Sequence, residues 1–222
     1  MEEVLQQIVS VDTQLMLGIN SLHSAFFDGF MWGYTKVSVW LPLYVALVIF
    51  LYRNMSRKQT LCALVCVALT ILICDQTVSH LIRPIVQRLR PANLANPINE
   101  WVHIVNDYRG GRYSFPSAHA SNTFGLTIFL IYQFRNRLLT TLMLLWAFLN
   151  CYSRIYLGVH YPGDILAGIL VGFVAASFSY WVYTQLCKDQ PRPSNLRYLW
   201  LPAGVWLLTT IALMGYALLV DF

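Results

Sequence analysis

Charge is what this sequence has least of. Only 11% of its 222 residues are Asp, Glu, Lys or Arg, against about a quarter in soluble domains, while 57% are hydrophobic. That balance excludes an ordinary soluble domain, and a mean hydropathy of +0.54 places the chain among membrane proteins. Basic residues are too few and too scattered to suit nucleic acid, because the net charge is +5 and the Lys and Arg fall in short clusters between apolar runs. Cysteine is sparse too. Cys62, Cys66, Cys74, Cys151 and Cys187 lie in or beside apolar runs without paired ligand spacing, which argues against a disulfide framework or a zinc site and leaves them as small apolar fillers. A basic N-terminal region is missing, since Glu2 and Glu3 stand there, so no cleavable signal peptide is expected.

Long apolar runs are abundant. Six of them, Phe30 to Leu51, Gln59 to Leu81, Ser117 to Phe134, Leu138 to Tyr156, Ile165 to Leu186 and Leu199 to Val220, approach the roughly 20 residues a helix needs to cross hydrocarbon. The expected fold is an all-α bundle of six transmembrane helices, a single integral-membrane domain over residues 1–222. Val4, Ile8, Val11, Leu15 and Ile19 recur at helical spacing among polar residues, so residues 1–24 read as an amphipathic helix lying flat in the interface. The connections Arg53 to Lys58, Arg135 to Arg137 and Lys188 to Arg197 are basic and share one side in a six-span layout, which the positive-inside rule makes cytoplasmic. The long connection over residues 82–116 and the short one at His160 then face the exterior or periplasm.

Those two outer connections hold three clusters: Arg83 with Arg90-Pro91, Pro116-Ser117-Ala118-His119, and Ser153-Arg154 with His160 and Asp164. Cleaving a phosphate ester takes cations and amides around the phosphoryl oxygens, a nucleophile in line with the leaving oxygen, and an acid to protonate it. Arg83 and Arg90, seven apart, project from one face if helical, and guanidinium forks match phosphate. Ser117 and Ala118 open the third span, where free N–H groups and the helix dipole attract an anion. His119 is suited to general acid work and Arg154 to a third cation. Pro162 at a first helical position makes Asp164 a first-turn residue that reaches back to His160, fixing one ring nitrogen and freeing the other for attack.

These patterns, Arg83-x6-Arg90-Pro91, Pro116-Ser117-Ala118-His119 and Ser153-Arg154-x5-His160-x3-Asp164, resemble the three-part signature of the type 2 phosphatidic acid phosphatase superfamily. The resemblance implies that His160 becomes a phosphohistidine, Asp164 orients it and His119 protonates the leaving group. Arg83, Arg90, Ser117, the Ala118 amide and Arg154 would hold the phosphoryl oxygens, with no metal or other cofactor. Two positions depart from the pattern, Arg83 where lysine is usual and Ala118 where glycine is usual, and both bear on substrate preference. The implied substrate is a phosphorylated membrane lipid, with undecaprenyl pyrophosphate or phosphatidylglycerophosphate ahead of phosphatidic acid and lipid A; the implied location is the bacterial inner membrane, with no obligatory protein partner. A lipid or anion transporter that uses the arginines only for binding is the competing class.

Taken singly, the same residues have plainer readings. Arg83 and Arg90 suit interfacial snorkelling, and His119 suits a packing role. Lys36 and Asp75 fall inside expected spans, where pairing or snorkelling explains most ionisable groups. His80 reads as a structural histidine, His23 and His103 have no assigned role, and Tyr108, Arg109 and Arg112 read equally as a second phosphate contact or a solvated loop.

Overall fold

The computed structural model describes residues 2–189, 191, 193 and 196–220. Among them nine α-helices occur: α1 (Glu2–Asn20), α2 (Ala25–Tyr34), α3 (Leu41–Asn54), α4 (Arg57–Asp75), α5 (Arg83–Val86), α6 (Ala118–Phe134), α7 (Arg137–Tyr156), α8 (Pro162–Leu186) and α9 (Trp200–Leu219). No strand forms among the described residues; one isolated bridge pairs Leu89 with Tyr113. The all-helical class agrees with the apolar runs.

Among the described residues five stretches are long and apolar enough to cross a bilayer: Val37–Asn54, Arg57–Val86, Arg137–Tyr156, Pro162–Leu186 and Trp200–Leu219. Helix α6, the sixth expected span, has 17 residues and is not among the five; that length is the short end of what a span requires. Its neighbours are dressed for lipid. On α8 the small residues Gly168, Gly172, Ala175, Ala176 and Ser179 are buried, while Leu166, Leu170, Phe173, Val174 and Trp181 are exposed. Large apolar side chains outside and small ones inside are what close helix packing in hydrocarbon favours, since lipid tails solvate Leu as well as a core does.

The α6–α8 contact is the tightest consequence. A Cβ on Gly168 would meet the Ser117 carbonyl at 2.5 Å, and one on Gly172 would meet the Ser121 carbonyl at 2.5 Å. Glycine at both places lets the two backbones touch and holds the N-termini of α6 and α8 side by side, with the Ser117 amide donating to the Asp164 carbonyl at 3.0 Å. Elsewhere Trp40, Trp146, Tyr34, Phe50 and Phe129 fill the core.

Three expectations about the helices need correction. The first span is not continuous from Phe30 to Leu51: α2 stops at Tyr34, Lys36 is extended (ψ 122°), and a 3₁₀ turn over Val37–Trp40 restarts the chain into α3. Hydropathy misses this break because apolar residues flank it. Lys36 is accordingly not inside a span but exposed, its ammonium 4.6 Å from the Trp32 ring centre. The second helix runs beyond Leu81, through a π-helical segment Gln76–Ile82 and into α5, so the long connection starts at Gln87. Finally, Arg83 and Arg90 do not share a helical face, because Gln87 adopts a left-handed conformation (φ 50°) that ends the helix between them.

Polar bonds sort the connections into two ends. Asn54 accepts from the Arg197 amide at 2.6 Å, and Gln59 donates to the Pro191 carbonyl at 2.9 Å, which ties the α8–α9 connection to the α3–α4 turn. Gln190, Arg192, Ser194 and Asn195 of the expected basic loop Lys188 to Arg197 lie outside the described residues. At the opposite end, Asn20 donates to the carbonyls of Tyr156 (2.6 Å) and His103 (3.0 Å), drawing α1, α7 and the long connection together.

Candidate active site

At that second end the three sequence clusters converge. Ser117 caps α6, its hydroxyl accepting from the Ala120 amide at 3.3 Å, and so sets Ala118 and His119 in the first turn. Arg154 sits in the last turn of α7, buried to 4% exposure. A turn then carries the chain to His160, 1% exposed, and Pro162 starts α8 with Asp164 in its first turn.

Asp164 holds His160 as the spacing requires. Its Oδ2 lies 3.4 Å from His160 Nδ1 and accepts from the Tyr161 amide at 2.8 Å. With Nδ1 as donor, the lone pair resides on Nε2, which faces Arg90 Nη1 at 3.1 Å; the tautomer follows from these partners. Burial, and then the charges of Arg90, Arg154, Arg83 and His119, hold the His160 pKa well below 6.5, so the ring is neutral at pH 7.

The cations come from three elements. Arg83 of α5 donates to the Pro116 carbonyl at 3.1 Å. Arg90 of the long connection donates to the Val159 carbonyl at 2.9 Å, and Arg154 donates to Thr35 Oγ1 at 2.7 Å and to the Tyr108 hydroxyl at 3.0 Å. They feel one another: burial, then repulsion from Arg154 and Arg83, brings the Arg90 pKa down to about 10. Burial raises the Tyr108 pKa, but the charge and hydrogen bond of Arg154 outweigh it and leave a net lowering. Each of the three guanidiniums also keeps a buried Nε–H with no partner. Three mutually repelling guanidiniums with unmet donors make a cluster suited to a multiply charged oxyanion.

His119 Nε2 donates to the Thr35 carbonyl at 3.1 Å. A carbonyl only accepts, so Nε2 carries hydrogen and Nδ1 remains for other chemistry. The ring also lines an apolar cavity of about 380 Å³ between α3, α4, α6 and α7, with Tyr44, Leu47, Leu64, Leu126 and Trp146 around it. An anion cradle thus opens beside a space shaped for hydrocarbon.

Thr35 and Asp12 enter the site without a sequence signal of their own, and Arg88 joins them from the long connection. Thr35 is presented by the break after α2, and Arg88 bonds Asp164 from between Arg83 and Arg90. Tyr108 joins through Arg154, whereas Arg109 bonds the Ala92 carbonyl and Arg112 stands over Tyr113. His80 is exposed, Asp75 faces Asn122 at 3.5 Å, and His23 stacks on His103 with ring centres 3.8 Å apart. Among the described residues no three His, Cys, Asp or Glu side chains gather as metal ligands.

The chain resembles known proteins over most of its length. The family model of the PAP2 superfamily matches residues 59–187. A lipid A 4'-phosphatase of Bacteroides thetaiotaomicron is 46% identical over 196 residues, covering 86% of this chain and 87% of that protein. A lipid A 4'-phosphatase of Porphyromonas gingivalis is 35% identical, covering 81% and 75% respectively. The crystal structure of a PAP2-type phosphatidylglycerolphosphate phosphatase from Bacillus subtilis superposes with a TM-score of 0.58 at 21% identity, over 84% of this chain and 89% of that one, a likeness of fold. With helices built to cross a bilayer and a family match over more than half its length, the chain is an integral membrane protein belonging to the PAP2 (type 2 phosphatidic acid phosphatase) superfamily.

Proposed function

We propose that this member of a family of lipid phosphate hydrolases removes a phosphate monoester from lipid A, using His160 as nucleophile. The observation that carries the reading is the trio of buried guanidiniums, Arg83, Arg90 and Arg154, each with an unmet Nε–H, gathered beside a neutral His160. A phosphoryl group entering the cradle satisfies those donors and draws Arg90 Nη1 away from His160 Nε2, freeing its lone pair. Nε2 then bonds to phosphorus as the bond to the lipid oxygen breaks, and His119, which takes up a proton at Nδ1 as the anionic phosphoryl group enters and offsets the arginine charges, gives that oxygen its proton. Asp164 stabilises the charge that develops on the His160 ring. Water attacks the phosphohistidine, its proton passes to His119, and the P–N bond breaks to release phosphate. Ser117 and the Ala118 amide complete the cradle at the α6 N-terminus.

The two lipid A 4'-phosphatases among the relatives favour lipid A over the isoprenoid pyrophosphate and the phosphatidylglycerophosphate that the sequence alone put first. The apolar cavity beside His119 receives an acyl chain while the head group meets the arginines, so the tails never enter water. With α6 as a sixth span, the basic connections lie in the cytoplasm and the site faces the periplasm across the inner membrane. Helix α1 lies in the outer interface, its exposed Val4, Ile8, Val11 and Leu15 in lipid. Residues 1–222 act as one domain, the connection after α5 supplying Arg90.

The test is phosphate release in detergent micelles from lipid A, undecaprenyl pyrophosphate, phosphatidylglycerophosphate and phosphatidic acid, with labelling by a ³²P-substrate quenched in alkaline SDS. Release ranked highest on lipid A, with an acid-labile phosphoprotein absent from His160→Gln, is the expected result. Substrate movement without phosphate release, persisting in His160→Gln, favours the transporter class and sinks the proposal. Labelling of single cysteines near His160 and Arg137 from the same side of the membrane overturns the topology.

A further inference from the structure

One ionic chain lies behind the groups that meet a phosphoryl oxygen. Arg88 Nη1 donates to Asp12 Oδ2 at 2.7 Å and to Asp164 Oδ1 at 3.1 Å, and its guanidinium carbon sits 3.6 Å from the Tyr161 ring centre. The second Asp12 oxygen accepts from the Gly163 amide at 2.7 Å. A Cβ at position 163 would lie 2.8 Å from Asp12 Oδ2, so the glycine is what admits the carboxylate of α1 to the start of α8.

Both oxygens of the fully buried Asp164 carboxylate are therefore occupied. Oδ2 serves His160 and the Tyr161 amide; Oδ1 serves Arg88. Arg88 can hold that place only if its own rotamer is fixed, and two contacts fix it: stacking on Tyr161 and the ion pair to Asp12. Val4, Ile8, Val11 and Leu15 of α1 point outward, whereas Asp12 points inward to Arg88.

We propose that Asp12 and Arg88 are positioning residues through which helix α1 fixes the Asp164 carboxylate, and with it the His160 ring, in the orientation for attack on phosphorus. The inference rests on His160 being the nucleophile, as in the preceding reading. Both act through Asp164 in this reading. Losing Arg88 leaves Asp164 Oδ1 unheld and losing Asp12 unfixes Arg88, so the carboxylate keeps only its Oδ2 anchor, and a displacement of about 1 Å at a nucleophile can cost on the order of a hundred-fold in rate. Asn at position 12 does not substitute, because its amide nitrogen must face a donor, either Gly163 N–H or Arg88.

The experiment compares wild type, Asp12→Ala, Arg88→Met, Arg88→Lys and Gly163→Ala, full length in detergent, on the lipid that wild type hydrolyses best, with melting curves alongside. Asp12→Ala, Arg88→Met and Gly163→Ala are expected to lower kcat roughly ten- to a hundred-fold with KM within about twofold of wild type, the split that distinguishes orientation from binding. Arg88→Lys keeps a cation between the two carboxylates and is expected to recover part of kcat. Gly163→Ala retains every charge and displaces Asp12 by one methyl, so it decides the matter if Asp12→Ala does not fold. A kcat within twofold of wild type in Asp12→Ala or Gly163→Ala, a loss confined to KM, or a Lys variant no better than Met overturns the proposal. An inactive wild type on every lipid overturns the phosphatase reading itself, and the positioning role with it.

Discussion

Replacing Arg90 by Met separates what the cradle does for catalysis from what it costs the fold. Arg90 is 6% exposed, and burial together with Arg154 and Arg83 holds its pKa at about 10, from an ordinary value above 12. At 1.4 kcal/mol per pH unit, the charged form is disfavoured in the ligand-free protein by about 3 kcal/mol. Against that stands the hydrogen bond to the Val159 carbonyl, worth about 1 kcal/mol net. Met fills most of the same volume, so the ligand-free variant is expected to be as stable as wild type or up to about 2 kcal/mol more stable. Catalysis moves the other way. Removing a preorganised donor from a developing oxyanion costs roughly 10²- to 10³-fold in kcat. Differential scanning fluorimetry in detergent, with and without orthovanadate, reads the first effect, and phosphate release reads the second. Vanadate is expected to raise the melting temperature of wild type more than that of Arg90→Met. A variant that melts well below wild type without ligand, or that keeps more than about a tenth of kcat, refutes the claim that these guanidiniums repel one another around an anion site.

Other outcomes follow from the same geometry. Because the His160 pKa is held well below 6.5, the native protein binds fewer protons than the unfolded chain beneath that pH. The contribution is fully present above pH 6.5 and lost as the pH falls below it, so the melting temperature should drop on acidification and the drop should shrink in His160→Gln. Gly168→Ala puts a methyl 2.5 Å from the Ser117 carbonyl, and since that neighbour is backbone the α6–α8 contact must open, at about 1–3 kcal/mol. Phosphate release should fall with it, because the two helices set His119 against His160; full activity in a folded Gly168→Ala protein would contradict this. Thr35→Val removes the Arg154 contact at 2.7 Å and leaves the Thr35 carbonyl on His119 in place, so a rise in KM larger than the fall in kcat is expected from steady-state kinetics.

Much of this protein was decided locally, and there the sequence was sufficient. Its helices follow from apolar runs too long for water, and several of their starts from Ser or Asn caps: Ser56 before α4, Ser117 before α6 and Asn136 before α7. The nearness of Asp164 to His160 is also local, fixed by one turn of helix after Pro162. What the sequence could not disclose depends on contacts between distant segments. The chain breaks after Tyr34 inside an apolar run, and the Thr35 that it presents meets Arg154, 119 residues on. Arg83 and Arg90 reach one cradle from a helix end and a folded connection, not from a shared face, because a single left-handed residue at Gln87 turns the chain. Asp12 meets Arg88 across 76 residues, and only because Gly163 leaves room. Hydropathy and capping are properties of neighbours along the chain, readable one window at a time. The convergence of guanidiniums, imidazoles and carboxylates is a property of how α6 and α8 close on each other, and that distance exists only once the helices have packed.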